Sequence, residues 1–335
     1  MFGVIPADAP WHKAPQRGAA QISQWNGIFK DHHGTTRNFT MIGPDPSKDN
    51  STTVIPFQVV PVIFTYAAFH NQKFNPMKDK YPNGQKVMDN FLASPLVQSN
   101  VSFKSGKTKV GKTQYIDAYQ RANFWLNNVQ KNKNYHVVLG DPQMLPAMKI
   151  TVQSGQGTIM QNPFGTIDVG TYGFGAMDVQ INNYINAHHE VTPDQFVFFV
   201  SDNIFLVSGG CCIGGYHTAT ARQPGGQTYG YTTLVTEQKT GSFSQDVSAA
   251  SHEIGEWMDD PFTDNIVGCQ DNSILENGDP LVDPPNYGGI PYKVGDFTYN
   301  LQNLVNVAYF GAPEWSANKQ QDFQGLFPNL ICPGQ

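Results

Sequence analysis

Segments of strand character and segments of helix character alternate along this chain of 335 residues, and no linker interrupts them. Val54–Tyr66 is rich in β-branched and aromatic residues and reads as a strand, with Pro56 and Pro61 at an edge or bulge. Asn83–Ser94, stopped by Pro95, and Thr113–Asn127 read as helices; in the second, Tyr115, Ala118, Ala122 and Trp125 recur at helical spacing. Val101–Lys112 between them is polar, carries four lysines and reads as an exposed loop. Tyr135–Leu139 and Met148–Val152 read as strands, and Asp178–His188 as a helix. Gln195–Val207 reads as two buried strand segments around Ser201, Asp202 and Asn203. Residues 1–50 mix Pro, Gly, His and Asn with little periodicity, as an extended, loop-rich arm would. The pattern predicts a single large α/β (α+β) domain over 51–335 with a mixed sheet, preceded by that arm, and with its chemistry in 211–281.

Composition narrows the function classes. Hydrophobic residues at 39% can bury a large core, which excludes disorder, while charged residues are only 14% and the net charge is −6. No basic patch has the density that releases counterions from DNA or RNA. The apolar run Val54–Tyr66 is too short to span a membrane and is broken by its prolines. Few charges with 32 glycines and 23 prolines suit an extracellular protein. Met1–Pro10 has neither a charged n-region nor an apolar h-region, so secretion implies a leader already removed. The sequons at Asn38, Asn50 and Asn100 are about as many as chance gives in so Asn-rich a chain. Cys211, Cys212, Cys269 and Cys332 predict two structural disulfides. A bond between neighbours closes a strained ring, so the expected pairing joins one of Cys211 and Cys212 to Cys269 and the other to Cys332.

Ser242 to Asp260 reads as one helix, opened by a capping box of Ser242 with Gln245 and stopped ahead of Pro261. Val247, Ala250, Ile254, Trp257 and Met258 form an apolar stripe. Ser248, Ala249, His252, Gly255, Glu256 and Asp259 lie opposite, small or polar as a cleft-lining face would be. His252 and Glu256, four apart, stand one above the other, with Glu253 a quarter-turn aside. This H-E-x-x-E is a variant of the H-E-x-x-H of zincins, in which residues i and i+4 bind metal and the Glu between them handles protons. Gly255 inside the helix implies a close approach by substrate or a neighbouring strand, since it costs about 1 kcal/mol relative to Ala. A third ligand is Glu276, 20 residues after Glu256, with Asp279 completing or orienting the set or serving as a turn residue before Pro280. Upstream, Gly214-Gly215-Tyr216-His217 follows the cysteine pair. His217 is a fourth ligand or a stabiliser of negative charge, Tyr216 is a nearby hydroxyl for the same task, and a Cys269 bond would tie their loop to the Glu276 segment. His32, His33, His188 and His189 lack a supporting carboxylate pattern and read as surface residues.

Two resemblances meet at these residues. The spacing of His252, Glu256 and Glu276 is similar to that of the gluzincin metallopeptidases. Over Gln195–Phe310, "FVFFVSDNIFLVSGGCCIGGYH", "SHEIGEWMDDP", "LENGDPL" and "TYNLQNLVNVAY" resemble segments of the plant EXORDIUM/phosphate-induced protein family. Secreted microbial proteins bearing H-E-[IV]-G-E-W-M-[DN]-D-P look similar as well. The Cys-Cys pair and two extra residues before His217 depart from the plant pattern. These resemblances imply a zincin-like fold, His252, Glu256 and Glu276 as metal ligands, Glu253 as the acid/base, and His217 and Asp279 as further site residues.

The expected activity is that of a secreted, Zn²⁺-dependent hydrolase, a metallopeptidase in which Glu253 deprotonates water and His217 or Tyr216 stabilises the oxyanion. Two carboxylate ligands make Mn²⁺ or Ca²⁺ competitors of Zn²⁺. Its partner would be an extracellular peptide, protein or cell-wall polymer. The alternatives are a non-catalytic, metal-stabilised wall- or glycan-binding protein, whose 41 Phe, Tyr and Trp residues could supply stacking platforms, and a metal-dependent carbohydrate hydrolase.

Overall fold

The structure is a computed structural model that describes residues 3–12, 20–222, 225–237, 244–269, 274–281, 289–312, 314–327 and 329–332. Strand begins earlier than the sequence pattern suggests. Within the stretch read as a loop-rich arm, β1 (Gln24–Lys30) and β2 (Thr36–Ile42) pair antiparallel from Gln24–Ile42 to Lys30–Thr36. Phe29, Phe39 and Met41 bury in the same apolar cluster as Trp257. The period of two is hidden because Gly27, against which the Phe39 ring lies, replaces a side chain on the inner row, while Ile28 is 65% exposed on the outer one.

β3 (Thr52–Ile55) and β4 (Phe57–Tyr66) form the predicted strand region, separated by Pro56. Pro61 lies inside β4 and not at an edge. One neighbour's pairing ends at Pro61 and another's begins at Val62, so the missing N–H falls where the strand changes partners. β5 (Gln72–Phe74) folds back on β4. α1 (Val87–Leu92) is shorter than predicted because Asn83 and Gly84 belong to a turn, Gly84 at φ 86°. Val101–Lys112 is a hairpin and not a loop: β6 (Val101–Ser105) and β7 (Thr108–Thr113) bury Phe103 and Val110 and turn their lysines outward. α2 (Tyr115–Asn123) lies within its predicted span, and a π-helical stretch at Trp125–Val129 runs two residues beyond it.

β8 (His136–Leu139) pairs with β3, while β9 (Gln143–Met144) and β10 (Met148–Val152) pair with β4. β11 (Ile159–Gln161) and β12 (Asp168–Gly173) lead into α3 (Phe174–Ala187). β13 (Phe196–Asp202) and β14 (Ile204–Val207) are the two predicted buried segments, and β15 (Cys211–Ile213), β16 (Gly215–Ala219) and β17 (Thr228–Leu234) follow. α4 (Ser248–Asp259) carries the H-E-x-x-E, and β18 (Ile290–Val294) and β19 (Phe297–Leu301) form a last hairpin.

The result is a mixed α/β fold with more strand than helix. Its seven-stranded main sheet runs β10-β4-β13-β17-β16, with β5 and β9 also on β4, and is parallel except for β5 and β16; β11-β12-β14-β15 form a second sheet. Alternation along β13 divides the interior in two. Phe196, Phe198 and Val200 face the cluster containing α2 and α4, and Val197 and Phe199 face the one containing α3. Phe196 stacks on Trp257 with ring centroids 3.8 Å apart.

Both disulfides are present, but the expected pairing is not. Cys211 is bonded to Cys212, across a cis peptide with Cα atoms 3.1 Å apart, and Cys269 to Cys332. The reason is positional: Cys211 sits at an exposed hairpin tip of the second sheet, whereas Cys269 and Cys332 are buried together in the α4-side core. No disulfide therefore ties the loop before His217 to the Glu276 segment.

Candidate metal centre

α4 begins at Ser248, six residues later than predicted. Ser242, half of the expected capping box, lies outside the described residues, and Val247 is the N-cap without a side-chain bond. The stop is as predicted, with Asp260 out of helical geometry (φ −144°, ψ 66°) ahead of Pro261. Val247, Ala250, Ile254, Trp257 and Met258 bury as the expected stripe. The opposite face is no cleft wall, since every residue of α4 is buried. A Cβ on Gly255 would come within 2.5 Å of Leu304 Cδ1, so the close approach inferred there is made by that side chain.

Three elements bring the chemistry together. α4 supplies His252, Glu253 and Glu256. β16, paired with β17 so that His217 faces Gly230, supplies His217. The segment Leu275–Leu281 returns over the helix with Glu276 and Asp279, and is anchored by Asn277, whose amide donates to Asp259 Oδ2 at 2.7 Å and whose carbonyl accepts from Val305 N at 2.8 Å. Gly278 N donates to Glu256 Oε1 at 2.9 Å, and the same glycine lies against the His252 ring, where a Cβ would overlap it.

The ligand atoms fall into two neighbouring groups, each with its atoms within 4.8 Å of one another: His252, Glu276 and Asp279; and His217, Glu253 and Glu256. His252 Nε2 is 3.0 Å from Glu256 Oε1 and 3.8 Å from Asp279 Oδ1. His217 Nδ1 is 3.5 Å from Glu253 Oε2 and 3.7 Å from Glu256 Oε2. Glu256 and Glu276 share a side-chain hydrogen bond. These buried His and Glu groups could hold a metal ion. Only Asp279, with 28% of its side chain exposed, reaches the surface.

Each histidine is oriented from behind, as metal-ligating imidazoles are. Gln302 Oε1 lies 3.2 Å from His252 Nδ1, and its amide nitrogen donates to Gly278 O at 3.3 Å, so the oxygen is the atom facing the ring. With one ring proton, His252 carries it on Nδ1 and presents the Nε2 lone pair to the carboxylates. His217 donates from Nε2 to Asp260 O at 3.0 Å and presents its Nδ1 lone pair to Glu253 and Glu256. Gln302 and the Asp260 carbonyl were not assigned these roles from sequence. Gln302 lies in the quoted "TYNLQNLVNVAY", but nothing local marks it as the partner of a helix 50 residues earlier.

Burial dominates the protonation of the cluster. It pushes Glu253 and Glu276 well above the usual carboxylate range, with Glu256's charge adding to the effect on both. Burial pulls His217 down to about 4 against the attraction of Glu256. Burial also acts to raise Glu256, but the cationic form of the His252 ring, which donates to it from Nε2, and the hydrogen bond from Glu276 outweigh that and hold it at about 2. The singly protonated ring, with Nε2 bare, is the form that would meet a cation. Burial raises Asp259 to about 6 despite donors from Asn277, Tyr119 and Gln120.

Two expected roles change with this geometry. Tyr216 points to the other face of β16, where its hydroxyl donates to Asp178 Oδ1 at 3.1 Å among Phe174 and Tyr229. Successive strand residues face opposite sides, so Tyr216 and His217 cannot both reach one site. His217 meets the carboxylates with a lone pair, which suits a cation and not an oxyanion. Residues near the amino end cover the free edge of β16: Gly3 N donates to Gly215 O at 3.3 Å, and Ile5 O accepts from Thr218 Oγ1 at 2.6 Å. No helix among the described residues is long and apolar enough to cross a membrane. Compared with known proteins, the chain matches no protein-family model, no curated protein and no solved structure.

Proposed function

We propose that the protein is an exported, metal-dependent hydrolase acting on peptide bonds, with a divalent cation held by His252, Glu256, Glu276 and Asp279. The observation that carries this reading is the facing of an oriented imidazole lone pair and carboxylate oxygens at 3.0–3.8 Å inside the protein. Ligand atoms about 2.1 Å from a tetrahedral ion lie about 3.4 Å from one another, the same range. When bound, such an ion polarises a carbonyl and makes water more acidic. Zn²⁺ suits the imidazole, and the carboxylates also admit Mn²⁺ or Ca²⁺. Glu253 stands beside this group with neither oxygen hydrogen-bonded among the described residues, so it is the group placed to accept and return the proton of water. The likeness of "SHEIGEWMDDP" and "LENGDPL" to the EXORDIUM family and to H-E-x-x-E proteins supports the same ligand set, and a zincin-like fold belongs to this reading. Two disulfides suit an oxidising compartment.

Burial favours a second reading, a non-catalytic centre that locks β16, α4 and the 275–281 segment together in a wall- or glycan-associated protein. Glu253→Gln separates the two. Incubation with a mixed peptide and glycan library, read by mass spectrometry, should show peptide cleavage that Glu253→Gln abolishes while the cation bound at His252 stays. Cleavage unchanged in the variant would remove Glu253 from the chemistry. Metal without cleavage in the unaltered protein would leave the non-catalytic reading.

A further inference from the structure

The centre proposed above draws on His252, Glu256, Glu276 and Asp279, and a second set of ligand atoms lies against it. We infer that the protein binds two divalent cations, the second held by His217, Glu253 and Glu256, with Glu256 as the bridge between them. The inference rests on the metal-binding reading of the first position.

Three observations about the second set carry it. First, His217 Nδ1 lies 3.5 Å from Glu253 Oε2 and 3.7 Å from Glu256 Oε2, too far for good hydrogen bonds and close to the spacing of ligands around one small ion. Second, Glu253 is only 1% exposed, yet neither of its oxygens has a hydrogen-bond partner among the described residues. A charged carboxylate buried in that way costs several kcal/mol unless a cation or a proton neutralises it. No lysine or arginine of the described residues forms an ion pair with Glu253 or Glu256. Third, the two oxygens of Glu256 are divided between the two histidines, Oε1 to His252 at 3.0 Å and Oε2 to His217 at 3.7 Å. A carboxylate placed in that way joins the paired ions of two-metal hydrolases, which sit about 3.5–4 Å apart.

The surrounding backbone is shaped for the arrangement. The bond from His217 Nε2 to Asp260 O leaves Nδ1 as the ligand atom. Gly215 gives Glu253 its room, since a Cβ there would come within 2.7 Å of Glu253 Cγ and 2.8 Å of its Oε1. Oε2 is the oxygen turned to the second cation, and Oε1, on the Gly215 side, remains for the proton role.

The test uses the full chain, stripped with a chelator, reloaded with Mn²⁺ and desalted, with metal counted per chain by mass spectrometry and the Mn²⁺ pair read by electron paramagnetic resonance. Two equivalents and an exchange-coupled spectrum are expected. His217→Gln should hold one equivalent with the spectrum of an isolated ion, and Glu256→Gln should lose at least tenfold in affinity at both positions, with circular dichroism checking the fold of each. One equivalent in the unaltered protein, or two that survive His217→Gln in a folded variant, overturns the second position and leaves the first standing. No bound metal at all overturns both.

Discussion

Gly278 sets the tolerance of the centre at the scale of one atom. Its α-carbon lies on the His252 imidazole, so Gly278→Ala must displace either the ring or the segment that carries Glu276. We expect at least a tenfold loss of metal affinity by calorimetric titration and a stability cost of about 1–3 kcal/mol, as for overpacking a core. Gln302→Leu removes the acceptor behind His252 Nδ1 while keeping the side chain's bulk, and should weaken metal binding by about 10–100-fold with an unchanged far-ultraviolet spectrum. Equal affinity in that variant would show that the ring needs no help from behind. His252, Glu253 and Glu256 are legible in sequence because helical periodicity alone places them together. Gln302, the Asp260 carbonyl and Gly278 are not, because their roles arise only when separate segments meet. His217 is intermediate: its place on a strand can be read, but which side of the strand faces α4 depends on register.

Among elements, strands with continuous β-branched and aromatic runs were readable, and short hairpins were not. β13 and β14 bury nearly every residue, whereas β1–β2 and β6–β7 hide a period of two behind Gly27, Ile28 and a row of lysines. The helix ends followed the same logic. Pro261 fixes the end of α4 through local sterics, while its start depends on what the preceding residues pack against. Disulfide connectivity is a matter of tertiary proximity, and elimination by ring strain gave the wrong pairs. The bond from Cys269 to Cys332 closes a separation of 63 residues and so removes far more freedom from the unfolded chain than one between neighbours. Replacing both Cys269 and Cys332 with Ala should cost about 4 kcal/mol in denaturant unfolding. Replacing Cys211 and Cys212 should cost much less. Similar losses for the two double variants, or non-reducing peptide maps that join Cys211 or Cys212 to Cys269, would contradict this arrangement.

Across the whole molecule, the buried acids make stability depend on pH and metal together. Glu253 and Glu276 have folded-state values raised above the roughly 4.3 of an unfolded glutamate, so the metal-free fold keeps protons that the unfolded chain releases. Their contribution is fully favourable below about pH 4.3 and is lost as pH rises through the raised values. A cation takes the place of those protons and binds better as they leave. The gap in melting temperature between metal-loaded and metal-stripped protein should therefore widen from about pH 5 to about pH 8, as measured by scanning calorimetry. A gap that narrows over that range would contradict the assignment. The mixed sheet and its burial were legible from alternation and composition, but enclosure of the site was not, because polar helix faces look alike whether they line a cleft or a sealed centre. The most direct measurement is an anomalous difference map from crystals grown with Zn²⁺ or Mn²⁺. A strong peak should stand among His252, Glu256, Glu276 and Asp279, within bonding distance of the His252 Nε2. A map without a peak there, from crystals whose stock metal is shown to enter other sites, would contradict the metal centre itself.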